Sequence, residues 1–143
     1  METQETIHIS DLHFDHKLWM NELRFFEMQL IVFEEKLEEI VTSNSESAVL
    51  AKVEAFQNRI IRQKEVIDEI KHKLRLREKD LDKMKNSNSV KKGDLLFTEY
   101  ESEKDEMNTF IRLYQEMRDD FKAFVADTND LIAYFPNASS LVP

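Results

Sequence analysis

Apolar residues recur along most of this chain at alternating intervals of four and three positions. In the first part of the chain the series runs Leu12, Trp19, Leu23, Phe26, Leu30, Phe33, Leu37 and Ile40. This heptad spacing is typical of helices that pack side by side. Two further segments repeat it, and short runs rich in Ser and Asn separate them. The pattern predicts three helices at about 11–42, 47–86 and 95–135, with Ser10 as the first N-cap.

The predicted connections, 42–47 and 86–95, are short, and the second contains the only glycine, Gly93. Short connections make neighbouring helices antiparallel. The chain is also long enough for one domain with a real core and too short to suggest two. We therefore predict an all-α fold with one domain over 1–143, an antiparallel three-helix bundle that forms a coiled-coil-like rod of long helices.

Folding the helices back on each other at these turns groups the heptad positions into layers. Phe26 then shares a layer with Gln63 and Met117, and Arg77 lies opposite Glu103. The Arg77–Glu103 layer holds two polar residues, and their charges are opposite. Buried charges often mark functional sites. They can also fix the register of helices, and we predict that role for Arg77 and Glu103.

The first helix carries a second apolar stripe on the side opposite its heptad series, interrupted only by Asn21. Its periodic series is Phe14, Leu18, Phe25, Met28 and Val32, and Ile31 lies beside the series and is counted with the stripe. A helix that is apolar on two faces must be covered on both. Either another protein, most simply a second copy, covers the stripe, or the first helix lies between the other two in a flat monomer. The flat arrangement would separate Arg77 from Glu103, so we predict a partner interface in a homodimer.

Three histidines, His13, His16 and His72, fall near one level of the predicted bundle. Glu69 and His72 also have the Glu-x-x-His spacing found in di-iron bundles. Only His16 lies in the heptad series, whereas Glu69 and His72 point outward, and one imidazole does not make a metal site. We predict no metal site. A metal- or small-ligand-binding bundle that uses the three histidines is the alternative function.

Catalytic chemistry has little support in this composition. The chain has no Cys, its single Gly excludes a phosphate-binding loop, and its Ser and His residues lack the context of a nucleophile. We therefore predict a non-enzymatic protein with no catalytic residues and no cofactor, which acts through protein–protein contact.

The charge distribution bears on the possible partners. A net charge of −9 argues against nucleic acid as a partner. The segment 71–92 differs, because nine Lys or Arg against three acidic residues give it a local charge of +6. This segment either binds an anionic surface or offsets a helix dipole.

No apolar run approaches the roughly 18 residues of a membrane span, and the polar N-terminus lacks the features of a signal peptide. We expect a cytoplasmic protein. The segments 12–19 (LHFDHKLW) and 56–73 resemble a group of small, uncharacterised bacterial helical-bundle proteins. That resemblance implies a bacterial cytosolic origin and brings no activity with it.

Overall fold

The computed structural model describes residues 5–84 and 87–134, with 129–134 described as helical backbone only. The elements in chain order are β1 (Thr6–His8), α1 (Ile9–Ser43), α2 (Ser47–Asp82), β2 (Ser89–Lys91) and α3 (Leu95–Tyr134). The three long helices pack against each other, which confirms the predicted all-α helical bundle. The predicted end of the third helix at residue 135 lies outside the described residues.

The start of α1 differs from the prediction. The helix begins at Ile9, so Ser10 lies within the first turn and is not the N-cap. The N–H of Ile9 donates to the carbonyl oxygen of Asn88 at 2.9 Å. A backbone partner thus satisfies one of the N–H groups that a capping side chain would otherwise serve.

A two-stranded antiparallel ribbon lies beside the helices, and the sequence pattern did not predict it. β1 pairs with β2 in the register Thr6↔Lys91, Ile7↔Val90 and His8↔Ser89. Val90 is fully buried and packs with Leu12, Leu81 and Phe97. Strands of three residues are too short to show a period-two pattern. Because the chain enters this ribbon, α2 ends at Asp82, four residues before the predicted end.

The turn from β2 to α3 depends on the single glycine. Gly93 has a φ of 100°, which side chains rarely permit. The N–H of Asp94 donates to the Lys91 carbonyl at 3.0 Å, and the N–H of Lys91 donates to Asp94 Oδ2 at 2.9 Å. The N–H of Thr98 then donates to the carbonyl of Asp94 at 3.1 Å, which starts the bonding of α3.

The chain forms two compact units. The first unit is Met1–Phe26 with Glu65–Ile111, and the second is Glu27–Lys64 with Arg112–Pro143. In the first unit the buried core includes Leu12, Leu23, Ile67, Ile70, Leu74, Met107 and Phe110. In the second it includes Leu30, Leu37, Val53, Ile60, Tyr114, Met117 and Phe121. The assignment of 1–143 to one domain stays a prediction.

The register of α2 against α3 follows the predicted layers. In the first unit Arg77 pairs with Glu103. In the second unit Phe56 packs on Phe124, with ring centroids 5.2 Å apart. The residue numbers of both pairs have the same sum, as one antiparallel register requires.

The predicted register of α1 against α3 is wrong. Phe26 meets Phe110 edge-on at 5.5 Å, one heptad before Met117. A shift of seven residues keeps every seam residue facing inward, so the apolar pattern does not distinguish the two registers. No loop joins α1 directly to α3, and therefore loop length does not fix their offset.

Candidate functional site

The second apolar stripe of α1 is exposed in both units. In the first unit the exposed fractions are 60% for Phe14, 43% for Leu18 and 56% for Phe25. In the second they are 68% for Met28, 51% for Ile31 and 59% for Val32. The structure therefore places all six predicted interface residues in solvent.

Direct contacts between α2 and α3 contradict the flat-monomer arrangement. Arg77 on α2 reaches Glu103 on α3 in the first unit, and Phe56 on α2 packs against Phe121 on α3 in the second. α1 does not separate α2 from α3 in either unit, and its second stripe is uncovered. The flat-monomer alternative is wrong.

An acidic groove lies beside this stripe in the second unit, between α1 and α2. It has a volume of about 520 Å³ and is lined by Ile31, Glu34, Glu35, Glu38, Val41, Gln57 and Lys64. Glu34 forms an ion pair with Lys64. Glu35 and Glu38 are exposed, and Ile31 and Val41 add aliphatic surface. Such a groove suits basic side chains, which combine an apolar stem with a charged head. The sequence pattern does not predict this groove, because a groove arises from two helices together.

The predicted register pair belongs to a wider network in the first unit. Arg77 Nε lies 2.9 Å from Glu103 Oε1 and 3.0 Å from Glu99 Oε2, and Arg77 Nη1 lies 2.8 Å from Asp80 Oδ2. The Glu103 side chain is only 3% exposed. The sequence predicted Glu103 from its layer but did not identify Glu99 or Asp80 as partners.

Burial governs the ionisation of this pair. Desolvation raises the pKa of Glu103 to about 7, although its hydrogen bond from Arg77 acts in the opposite direction. Desolvation acts to lower the pKa of Arg77, but hydrogen bonds to Glu103 and Asp80 outweigh it and leave that pKa above its usual value. The second oxygen of Glu103, Oε2, is buried without a hydrogen bond among the described residues, which is consistent with a carboxyl that resists ionisation.

Two histidines of the first unit share one carboxylate that the sequence pattern did not predict. His13 Nδ1 lies 2.6 Å from Glu78 Oε2, and His16 Nδ1 lies 2.6 Å from Glu78 Oε1. An ionised carboxylate only accepts hydrogen bonds, so each Nδ1 carries the proton that it donates. The heptad layering of α1 on α2 also predicts Leu74 opposite His16, and Glu78 lies one turn after Leu74. That spacing was the available signal.

The third candidate ligand, His72, is exposed, whereas His16 is buried and His13 half-buried. Over residues 5–84 and 87–134, no group of three or more His, Asp or Glu side chains is arranged to hold a metal ion. The structure thus brings His13 and His16 together around Glu78 and shows no cluster that includes His72.

Asp15, Trp19 and Tyr100 form a further contact between α1 and α3 in the first unit. The Tyr100 hydroxyl donates to Asp15 Oδ2 at 2.6 Å, and the Tyr100 ring stacks on Trp19 with centroids 5.5 Å apart. Burial raises the pKa of Tyr100 to about 12, and the bond to Asp15 acts in the same direction. This phenol therefore stays protonated and holds the two helices together.

Part of the positive charge in the segment 71–92 is neutralised within the chain. Lys73 Nζ lies 2.6 Å from Glu106, Arg77 is paired as described, and Lys92 Nζ lies 3.7 Å from Glu5. Arg75, Lys79, Lys83 and Lys91 are exposed. These pairs support a packing role for part of the segment and reduce its attraction for an anionic surface.

No family model, no curated protein and no solved structure matches this chain. The resemblance to small bacterial helical proteins therefore stays a prediction, as do the expected lack of catalytic residues and of a cofactor. Within the described part of the chain, none of the helices has the length and hydropathy that a membrane span requires.

Proposed function

We propose that this protein acts through protein–protein contact, without catalysis, by pairing with a second copy through the exposed stripe of α1. The observation that carries the proposal is the exposure of 43–68% at all six stripe residues of one helix. The matching location is the bacterial cytoplasm, which rests on the sequence and its resemblance alone.

The size of the stripe supports a partner. If a large side chain offers roughly 150–250 Å², the six residues leave about 500–850 Å² in water at their observed exposures. The largest apolar patch on a typical monomer is about 300–600 Å². Two such stripes buried against each other would remove about 1,000–1,700 Å², which overlaps the lower part of the range for stable interfaces.

A second copy is the simplest occupant. Two-fold pairing covers the same patch on both copies and leaves no new patch exposed. Asn21 interrupts the stripe, and a polar residue at such a position can select register and oligomeric state. Binding to a different protein would leave the purified chain monomeric, so the two possibilities are separable.

Sedimentation velocity of three proteins tests this proposal. The wild type should sediment as a dimer, and the Phe25→Glu, Met28→Lys variant as a monomer with unchanged circular dichroism. The matched control is Ile61→Glu, Leu113→Lys, which alters two apolar residues that are 56% and 46% exposed but lie outside the stripe. This control should stay dimeric. A monomeric wild type, or a control that dissociates as readily as the stripe variant, overturns the proposal.

A further inference from the structure

Two buried polar atoms of the first unit have no hydrogen-bond partner among the described residues, and their side chains line the same small cavity. The atoms are His16 Nε2 and Glu103 Oε2. His16 is 4% exposed and Glu103 is 2% exposed. The other end of each group is engaged, because His16 Nδ1 is bound to Glu78 and Glu103 Oε1 to Arg77. A buried polar atom is costly unless it is hydrogen-bonded, so both atoms call for a partner.

The size and lining of this cavity suit one water molecule. The cavity offers about 10 Å³ to a water-sized sphere. An internal water needs roughly 10–15 Å³ by this measure and two to four polar partners. Four polar side chains of the lining can supply those partners, and buried aliphatic side chains close part of the wall. The polar ones are His16, Arg77, Tyr100 and Glu103, and the aliphatic ones include Leu12 and Leu81.

We propose that this cavity binds one ordered water molecule, which joins His16 Nε2 on α1 to Glu103 Oε2 on α3. Every residue that lines the cavity belongs to the first unit. The site does not depend on the stripe of α1, so it stands or falls separately from the proposed dimer.

The hydrogen-bonding roles of the two atoms are complementary through a water. Because burial raises the pKa of Glu103 to about 7, its carboxyl carries a proton in the acidic range. Glu103 Oε1 accepts from Arg77, so this proton belongs on Oε2, which then donates. His16 carries its ring proton on Nδ1, which leaves Nε2 as an acceptor in the neutral ring.

A water molecule can therefore accept from Glu103 Oε2 and donate to His16 Nε2. Its second proton can go to the hydroxyl oxygen of Tyr100, which also lines the cavity. When Glu103 is ionised, the same water can donate to Oε2 and to Nε2. The site thus serves both protonation states of Glu103.

This link would favour the observed register of α1. His16 is the polar member of the heptad series of α1, and a shift by one heptad would bring Ile9 or Leu23 to its level. Neither of these side chains can bond to a water, so Glu103 Oε2 would lose its connection to α1. A buried polar group can select a register in this way.

High-resolution crystal structures of three proteins test the site. In the wild type, electron density for one water should lie within hydrogen-bond distance of His16 Nε2 and Glu103 Oε2. His16→Phe removes the acceptor nitrogen and places a larger ring in the cavity, so this water should be lost. The matched control is His13→Phe, because His13 also binds Glu78 through Nδ1 but does not line the cavity. The control should keep the water.

Oxygen-17 relaxation dispersion makes the same comparison in solution, since it detects held water but not exchanging His or Tyr protons. The wild type and His13→Phe should each exceed His16→Phe by one long-lived water per chain, with unchanged circular dichroism. Glu103→Gln should keep the water, because an amide can also donate or accept. A wild-type crystal structure without this density, or with His16 bonded directly to Glu103, overturns the proposal even if a variant fails to fold.

Discussion

Arg77 and Glu103 form a buried ion pair between α2 and α3, with Nε 2.9 Å from Oε1, but the two partners are not equivalent. Arg77 also contacts Glu99 and Asp80. Glu103 has Arg77 as its one ion-pair partner among the described residues, and its side chain is almost fully buried. Loss of Arg77 and loss of Glu103 should therefore have different consequences for stability.

Replacement of Arg77 by Leu should destabilise the fold more than replacement of Glu103. Without Arg77 the Glu103 carboxyl is buried and unpaired, which costs about 3–5 kcal/mol in buried pairs. Without Glu103, Arg77 keeps Asp80 and Glu99, so we expect a cost of about 1–2 kcal/mol. The double variant with Leu at both positions should recover most of the larger loss. Urea unfolding at pH 8 measures all three, and equal costs for the two single variants would contradict this asymmetry.

Glu103 should make stability depend on pH in a defined direction. Its pKa is about 7 in the folded protein, above the 4.5 of an unperturbed glutamate. The folded state therefore binds this proton more tightly, so the contribution is fully present below about pH 4.5 and is lost as pH rises through 7. The expected loss is at most roughly 3 kcal/mol.

The comparison with Glu103→Gln isolates this contribution. The wild type should gain stability relative to the variant as pH falls from 8 to 5, because other titrating groups cancel in the difference. The free energy of unfolding from urea titrations at both pH values gives the result. A difference that does not change with pH would show that Glu103 titrates normally.

The periodicity of the sequence predicts the helices and the register of α2 against α3. It does not predict features that depend on contacts between particular side chains. Three helices and the α2–α3 register followed from the heptads and from the opposite charges of Arg77 and Glu103. The α1–α3 register did not, because a shift of one heptad places Phe26 against Phe110 and still keeps the seam apolar. Pairing of Val90 with Ile7 involves strands too short to show a pattern.

The candidate site shows the same division. The stripe of α1 was visible as a second periodic series, so its six residues could be named from the sequence. The groove beside it was not, since Glu35 and Glu38 on α1 become part of a groove only when Gln57 and Lys64 of α2 complete its wall. Glu78 was missed for a similar reason, because its link to His13 and His16 joins two helices.

The histidines at Glu78 should show a defined tautomer. When the rings are neutral, nitrogen-detected NMR should find the proton of His13 and His16 on Nδ1, which donates to Glu78. His72 is exposed and serves as the internal control. In Glu78→Gln one acceptor oxygen is lost, so one of the two rings should lose its preference. A proton on Nε2 of His16 in the wild type would contradict the observed geometry.

The purified protein should contain no stoichiometric transition metal. His13 and His16 both direct Nδ1 to Glu78, and a protein site for zinc needs at least three converging ligands. Elemental analysis should therefore find far less than one metal ion per chain. A content near one per chain that disappears in the His16→Ala, His72→Ala variant would establish the ligand-binding alternative instead.

The central claim is that the stripe of Phe14, Leu18, Phe25, Met28, Ile31 and Val32 is covered by a second copy. Sedimentation equilibrium of the wild-type protein at micromolar concentration tests it most directly, because the molar mass needs no assumption about shape. We predict a mass of twice the 17.1 kDa of one chain. A mass of 17.1 kDa across the whole micromolar range would show that no second copy covers the stripe.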